Sequence, residues 1–132
     1  MLCLTVVPAL ADTTLKTFVA NTPGSPLHIS QCSAELADTD VGNIDYYFRP
    51  RAEYKNVSAR SIKALEIDFI LMDGFDTKLM TKGGLDSTGL DAGSSDHGSW
   101  EWINFPQSTS EVKCIVDRVK FTDGTSWHNP NS

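Results

Sequence analysis

The sequence predicts an all-β fold, an antiparallel sandwich of about seven strands. Three observations carry that reading. Leu65, Ile67, Phe69 and Leu71 recur every second residue, the period at which strand side chains return to one face. Turn formers punctuate the chain, with Asp73-Gly74 ending that run and Thr122-Asp123-Gly124-Thr125 marking a hairpin. Nowhere does an apolar period near 3.6 persist beyond about two turns. No internal repeat is visible.

The chain has 132 residues, enough for one domain. A domain of this size buries roughly two thirds of its unfolded surface, so it needs neither a metal nor a partner to fold. With 40% hydrophobic and 21% charged residues it is globular. The net charge of −6 argues against nucleic-acid binding, because neutralising phosphates drives that affinity. It argues equally against charge-driven docking on an anionic membrane.

Residues 1–11 are uncharged and apolar, and Ala9-Leu10-Ala11 before Asp12 fits a small-x-small cleavage site. The segment is expected to be a signal peptide remnant, without the basic n-region, which places the protein in the periplasm or outside the cell. It is far shorter than the ~20 apolar residues of a membrane span. Cys3 has too few apolar residues before it for a lipid-anchor site. Beyond this segment Cys32 and Cys114 remain, an even pair in an exported chain. A disulfide between them is expected; the alternative is two buried thiols.

Residues 12–26 read as a lead-in with at most one short element over Leu15–Val19, ending in the breaker Asn21-Thr22-Pro23-Gly24-Ser25-Pro26. The sandwich itself is expected over 27–129. Leu27–Leu36 is a strand with Cys32, Ala34 and Leu36 on one face, followed by a loop to Asn43. Ile44–Tyr54 is a second strand, and Pro50 makes it an edge or bulged there. Ala64–Met72 is the central strand, and Lys78–Thr81 a short one. Lys82–Gly98 reads as a long polar loop holding Gly83, Gly84, Gly89, Gly93 and Gly98, with room for a short strand near Leu90. Ser99–Phe105 is a strand with Trp100 and Trp102 on one face and Ile103 and Phe105 on the other. Val112, Cys114 and Val116 alternate, Val119 and Phe121 follow out of phase, and Asp117-Arg118 marks a β-bulge. The last strand runs through Trp127 into the tail Asn129–Ser132.

Asn56 and Ser58, then Ile62, Ile67, Phe69-Ile70-Leu71-Met72-Asp73 and Gly74, with the turn Leu90-Asp91-Ala92-Gly93, resemble the FxLYD-type domains over about residues 45–105. These are small immunoglobulin-like sandwiches of exported bacterial proteins. Met72 stands where the family has Tyr, and Ala92 where it often has Pro. The resemblance implies an immunoglobulin-like fold, no enzymatic activity and a role as an accessory or interaction module.

Chemistry-bearing residues are sparse. Asp38-Thr39-Asp40-Val41-Gly42-Asn43 lacks the fifth and twelfth ligands of a calcium loop. Asp86, Asp91, Asp96 and His97 share the long loop at irregular spacing, so no metal or cofactor is expected there. His28, His97 and His128 are scattered, with no nucleophile elbow, so no catalytic residue is assigned. Glu66 and Asp68 alternate onto the solvent side of their strand. Asn56-Val57-Ser58 matches a glycosylation sequon but reads better as a turn capped by its own side chain. Trp100, Trp102 and Trp127 are the candidate ligand-binding residues, because exposed tryptophans can stack on sugar rings or apolar peptide; the alternative is that they fill the core. The expected function is a non-enzymatic exported module acting on an unidentified protein partner. A carbohydrate- or small-ligand-binding module using the tryptophans is the alternative.

Overall fold

The computed structural model describes residues 13–38 and 46–132. Among them nine strands form: β1 (Thr13–Thr14), β2 (Lys16–Val19), β3 (Leu27–Asp38), β4 (Tyr46–Asn56), β5 (Ile62–Met72), β6 (Lys78–Asp86), β7 (Ser95–Ser99), β8 (Glu111–Phe121) and β9 (Ser126–His128). No described residue is helical, and no described helix is long and apolar enough to cross a membrane. One sheet has the order β1-β3-β4-β7; the other has β2-β8-β5-β6, with β9 also on β8. Among the described residues only the β2–β8 pairing is parallel. The predicted β-sandwich is therefore the observed architecture. The signal segment 1–11 and the strand start at Ile44 lie outside the described residues.

The core is the layer between the sheets. Leu65, Ile67, Phe69 and Leu71 of β5 meet Val112, Cys114, Val116 and Val119 of β8 and Phe48, Ala52 and Tyr54 of β4, all buried. The inward set on β3 switches from Leu27 and Ile29 to Ala34 across a register shift between Ile29 and Gln31. One inserted residue reverses which side chains face in. On β8 the shift falls at the expected place, with Glu66 opposite Arg118 and Ile67 opposite Val116, leaving Asp117 as the extra residue. The Cys32–Cys114 disulfide links β3 to β8, and thus sheet to sheet. Gly124, with φ of +92°, sits in the β8–β9 hairpin where the left-handed region is needed.

Three sequence expectations need correction. The short element expected over Leu15–Val19 is β2, but β1 precedes it in the other sheet, and the chain crosses between them at buried Leu15. Lys82–Gly98 is not one loop, because β6 runs on to Asp86 and β7 starts at Ser95. Ser99–Phe105 is not a full strand either. Trp100 to Trp102 keeps the β4–β7 register, ending in an isolated bridge between Phe48 and Trp102. Pro50 lies opposite Trp100 and can accept its N–H (3.1 Å) but returns none, so the ladder breaks there. Past Trp102 the chain leaves the sheet; Phe105 turns in against Phe48 while Ile103 stays exposed.

Asn56 is fully buried. Its amide donates to the carbonyls of Arg60 (2.8 Å) and Leu90 (3.0 Å), and its Oδ1 accepts from Ser58 N–H (3.0 Å). The sequon is thus a turn locked by its own asparagine. Leu90 in turn bridges Ile62 through both backbone groups at 2.9 Å, and Gly93 N–H donates to the Asn56 carbonyl.

Candidate functional site

The densest set of unusual contacts lies on the β6 side, around the adjacent glycines Gly83 and Gly84. Successive strand residues face opposite sides of a sheet. Gly84 lies opposite buried Ile67 and faces the core; Gly83 lies opposite Asp68 and faces outward. Each has a neighbour's side chain where its own would stand. A Cβ on Gly84 would come within 2.7 Å of the Trp100 indole, and one on Gly98 would also strike that ring. A Cβ on Gly83 would lie 2.7 Å from Glu66 Oε2 and 3.3 Å from Asp68 Oδ1. Glycine in a strand interior costs stability unless something packs into the gap. Here an indole fills one gap and two carboxylates the other.

Trp100 therefore works as a clasp. Its ring covers Gly98 of β7 and Gly84 of β6, packs on Phe69 at 5.5 Å between centroids, and its Nε1–H donates to the Leu85 carbonyl (3.1 Å). It joins the edge strands of the two sheets. Trp102 stacks on Phe48 at 6.1 Å and touches Phe69. Trp127 stands apart on β9, opposite Val119. All three are half-buried against the core and form no common row. A shallow groove of about 580 Å³ is lined by Ser33, Glu35, Arg49, Arg51 and, alone of the tryptophans, Trp100. Arg49 there is paired with Glu101 (2.7 Å) and Glu35 (3.8 Å).

On the outer face, Glu66, Asp68 and Asp117 bring carboxylate oxygens within 4.8 Å of one another. The bulge on β8 makes this possible, because it turns both Asp117 and Arg118 outward between inward Val116 and Val119. Arg118 takes Glu66 Oε1 with Nη2 (2.9 Å) and Nε (3.0 Å) and reaches Asp117 Oδ2 at 3.9 Å. Asp68 lies on the outer face that its alternation predicts, yet it is buried there rather than solvated. It is 9% exposed, and its Oδ1 is buried with no hydrogen-bond partner. Burial, then the Glu66 carboxyl and the charges of Asp117 and Glu66, push Asp68 up to about 8. Burial acts the same way on Glu66, but its bonds to Asp68 and Arg118 outweigh that and hold it below the ordinary range. Two bare carboxylates only repel; a shared proton or a cation is needed to join them.

The remaining candidates do not assemble. Asp86 accepts the buried Tyr54 hydroxyl and the Thr88 N–H (2.9 Å); burial and then that carboxylate raise Tyr54 far above the usual phenol range. Asp96 accepts the His97 N–H (2.8 Å) and lies 3.9 Å from the His97 ring nitrogen. His28, His97 and His128 stand on β3, β7 and β9. Sequence reasoning missed the Asp68 cluster. The available signal was the bulge at Asp117-Arg118 beside a strand carrying Glu66 and Asp68.

No family model matches the chain, and no curated protein matches it. Among solved structures it is similar to a hypothetical protein from Peptoclostridium difficile 630, with a TM-score of 0.55 and 9% identity over 83% of this chain and 89% of that one. At that identity the likeness concerns the fold alone.

Proposed function

We propose that this is an exported, non-catalytic, immunoglobulin-like module that binds a protein partner by strand addition at the outer edge of β6. The observation that carries it is the edge itself. Among the described residues β6 pairs only with β5. The Leu85 carbonyl points away from β5 to Trp100. Alternation then aims the backbone groups of Gly83 and Thr81 outward as well. Leu85 and Met80 leave apolar surface beside this edge. An extended segment laid there gains main-chain hydrogen bonds, and side-chain pockets select its sequence. With a net charge of −6 and the Glu66, Asp68 and Asp117 carboxylates beside the edge, the segment is basic. The disulfide is compatible with an oxidising compartment outside the cytosol. Sheet order β3-β4-β7 against β6-β5-β8-β9 supports the immunoglobulin-like assignment.

The test is photo-crosslinking from a benzophenone side chain at Leu85, with one at Ser33 on the other sheet as control, in the source cell envelope. The expected result is a discrete adduct from position 85 only, lost on Thr81→Pro, which removes an outward N–H. No adduct at 85, or one that survives Thr81→Pro, contradicts the reading.

A further inference from the structure

The geometry points to a binding site for a hard divalent cation, Ca²⁺ foremost, in the notch formed by Glu66, Asp68 and Asp117 over Gly83. Acidic side chains often gather on surfaces with no ion between them. Two further observations distinguish this group. Asp68 is 9% exposed, and its buried Oδ1 has no donor. Leaving such an oxygen unpaired is costly, and a protein retains one where something satisfies it. Gly83 is the second. Glu66 Oε1 is occupied by Arg118, but Oε2 and Asp68 Oδ1 both border the space that a Cβ at Gly83 would fill. Any other residue at 83 would crowd those two oxygens.

The donor set is carboxylate oxygen throughout, which suits Ca²⁺ or Mg²⁺ over zinc or copper. Arg118 offsets one of three carboxylate charges and leaves room for a dication. Asp117 is 23% exposed, so waters can complete the shell from outside. Three carboxylates, one shared with an arginine, place the site among weak extracellular calcium sites, with a dissociation constant of about 10⁻⁴–10⁻³ M. The inference stands whether or not β6 takes up a partner strand.

Calorimetric titration of Ca²⁺ into the full chain, stripped with EDTA and desalted, tests it. The expected result is one saturable site. Asp68→Asn abolishes it, Asp117→Asn weakens it about tenfold, and Asp91→Asn on the exposed loop leaves it unchanged. Asp117 sits partly exposed on a bulge, so its variant keeps the test valid if Asp68→Asn does not fold. No saturable binding up to about 10 mM, well above that range, overturns the site; a proton shared by Glu66 and Asp68 would give that result. Binding equally strong in both cluster variants would also overturn it, as diffuse attraction to an acidic surface.

Discussion

The two sides of the sandwich are closed by different means. Toward β1 and β2, the chain itself crosses between sheets at Leu15, and the Cys32–Cys114 bond ties β3 to β8. Toward β6 and β7, one indole lies over two glycines and bonds a single carbonyl, and the Tyr54 hydroxyl of β4 donates to Asp86 of β6. The first closure is covalent and constrains the unfolded chain. The second exists only in the folded state and depends on Gly84, Gly98 and Trp100 meeting face to face. The contrast teaches that the β6 side is the softer one, and it is also where the β6 edge, unpaired by any described strand, and the buried carboxylate lie.

The largest effect expected from breaking this comparison is at the covalent side. Cys32→Ala with Cys114→Ala opens a bridge of sequence separation 82 and costs about 4–5 kcal/mol in the chain-entropy model, read as a lower urea midpoint. At the other side Trp100→Ala costs about 3 kcal/mol, because it empties the space above two glycines. Gly98→Ala pushes a methyl into the same ring and costs about 1–3 kcal/mol. Gly74→Ala, whose methyl meets nothing nearer than 3.9 Å, stays near neutral. Combined with Trp100→Ala, the Gly98→Ala penalty disappears, which sharpens the assignment of that cost to the indole.

The last effect concerns Asp68 and depends on pH. Its folded value is raised from 3.8 to about 8, so the folded chain keeps a proton that the unfolded chain releases. That contribution to stability is whole below about pH 4 and is lost as pH rises through about 8. In EDTA, wild type therefore loses stability relative to Asp68→Asn across that window. Above it, Asp68→Asn is the more stable by about 1 kcal/mol, since a neutral amide relieves the buried charge and can donate to Glu66. Urea midpoints at pH 5 and pH 8.5 check the sign; a constant difference between the two proteins contradicts it.

Much of the fold was legible because local rules fixed it. Leu65 to Leu71 carried the strand period, Asp117-Arg118 the bulge, Thr122–Thr125 the hairpin, and two cysteines the bridge. What was not legible depended on distant partners. Gly83-Gly84 reads as a loop in isolation, because only Trp100 and Glu66 make two glycines tolerable in a strand. Asp68 reads as solvent-facing by alternation, and only the bulge across from it builds the outer surface that buries it. Trp100 and Trp102 shared a face as expected. That face is inward, because they continue the ladder opposite Pro50 and Phe48, whose side chains point to the core.

The central claim is that Trp100 is the main closure of the β6–β7 side, beside the Tyr54–Asp86 hydrogen bond, while the disulfide serves the other. Amide hydrogen exchange, followed by mass spectrometry in wild type and Trp100→Ala, tests it most directly. The account predicts faster exchange confined to Lys78–Asp86 and Ser95–Ser99, with β5 and β8 still protected, since local opening need not unfold the core. Unchanged protection in β6 and β7, or equal loss throughout β5 and β8, would contradict it.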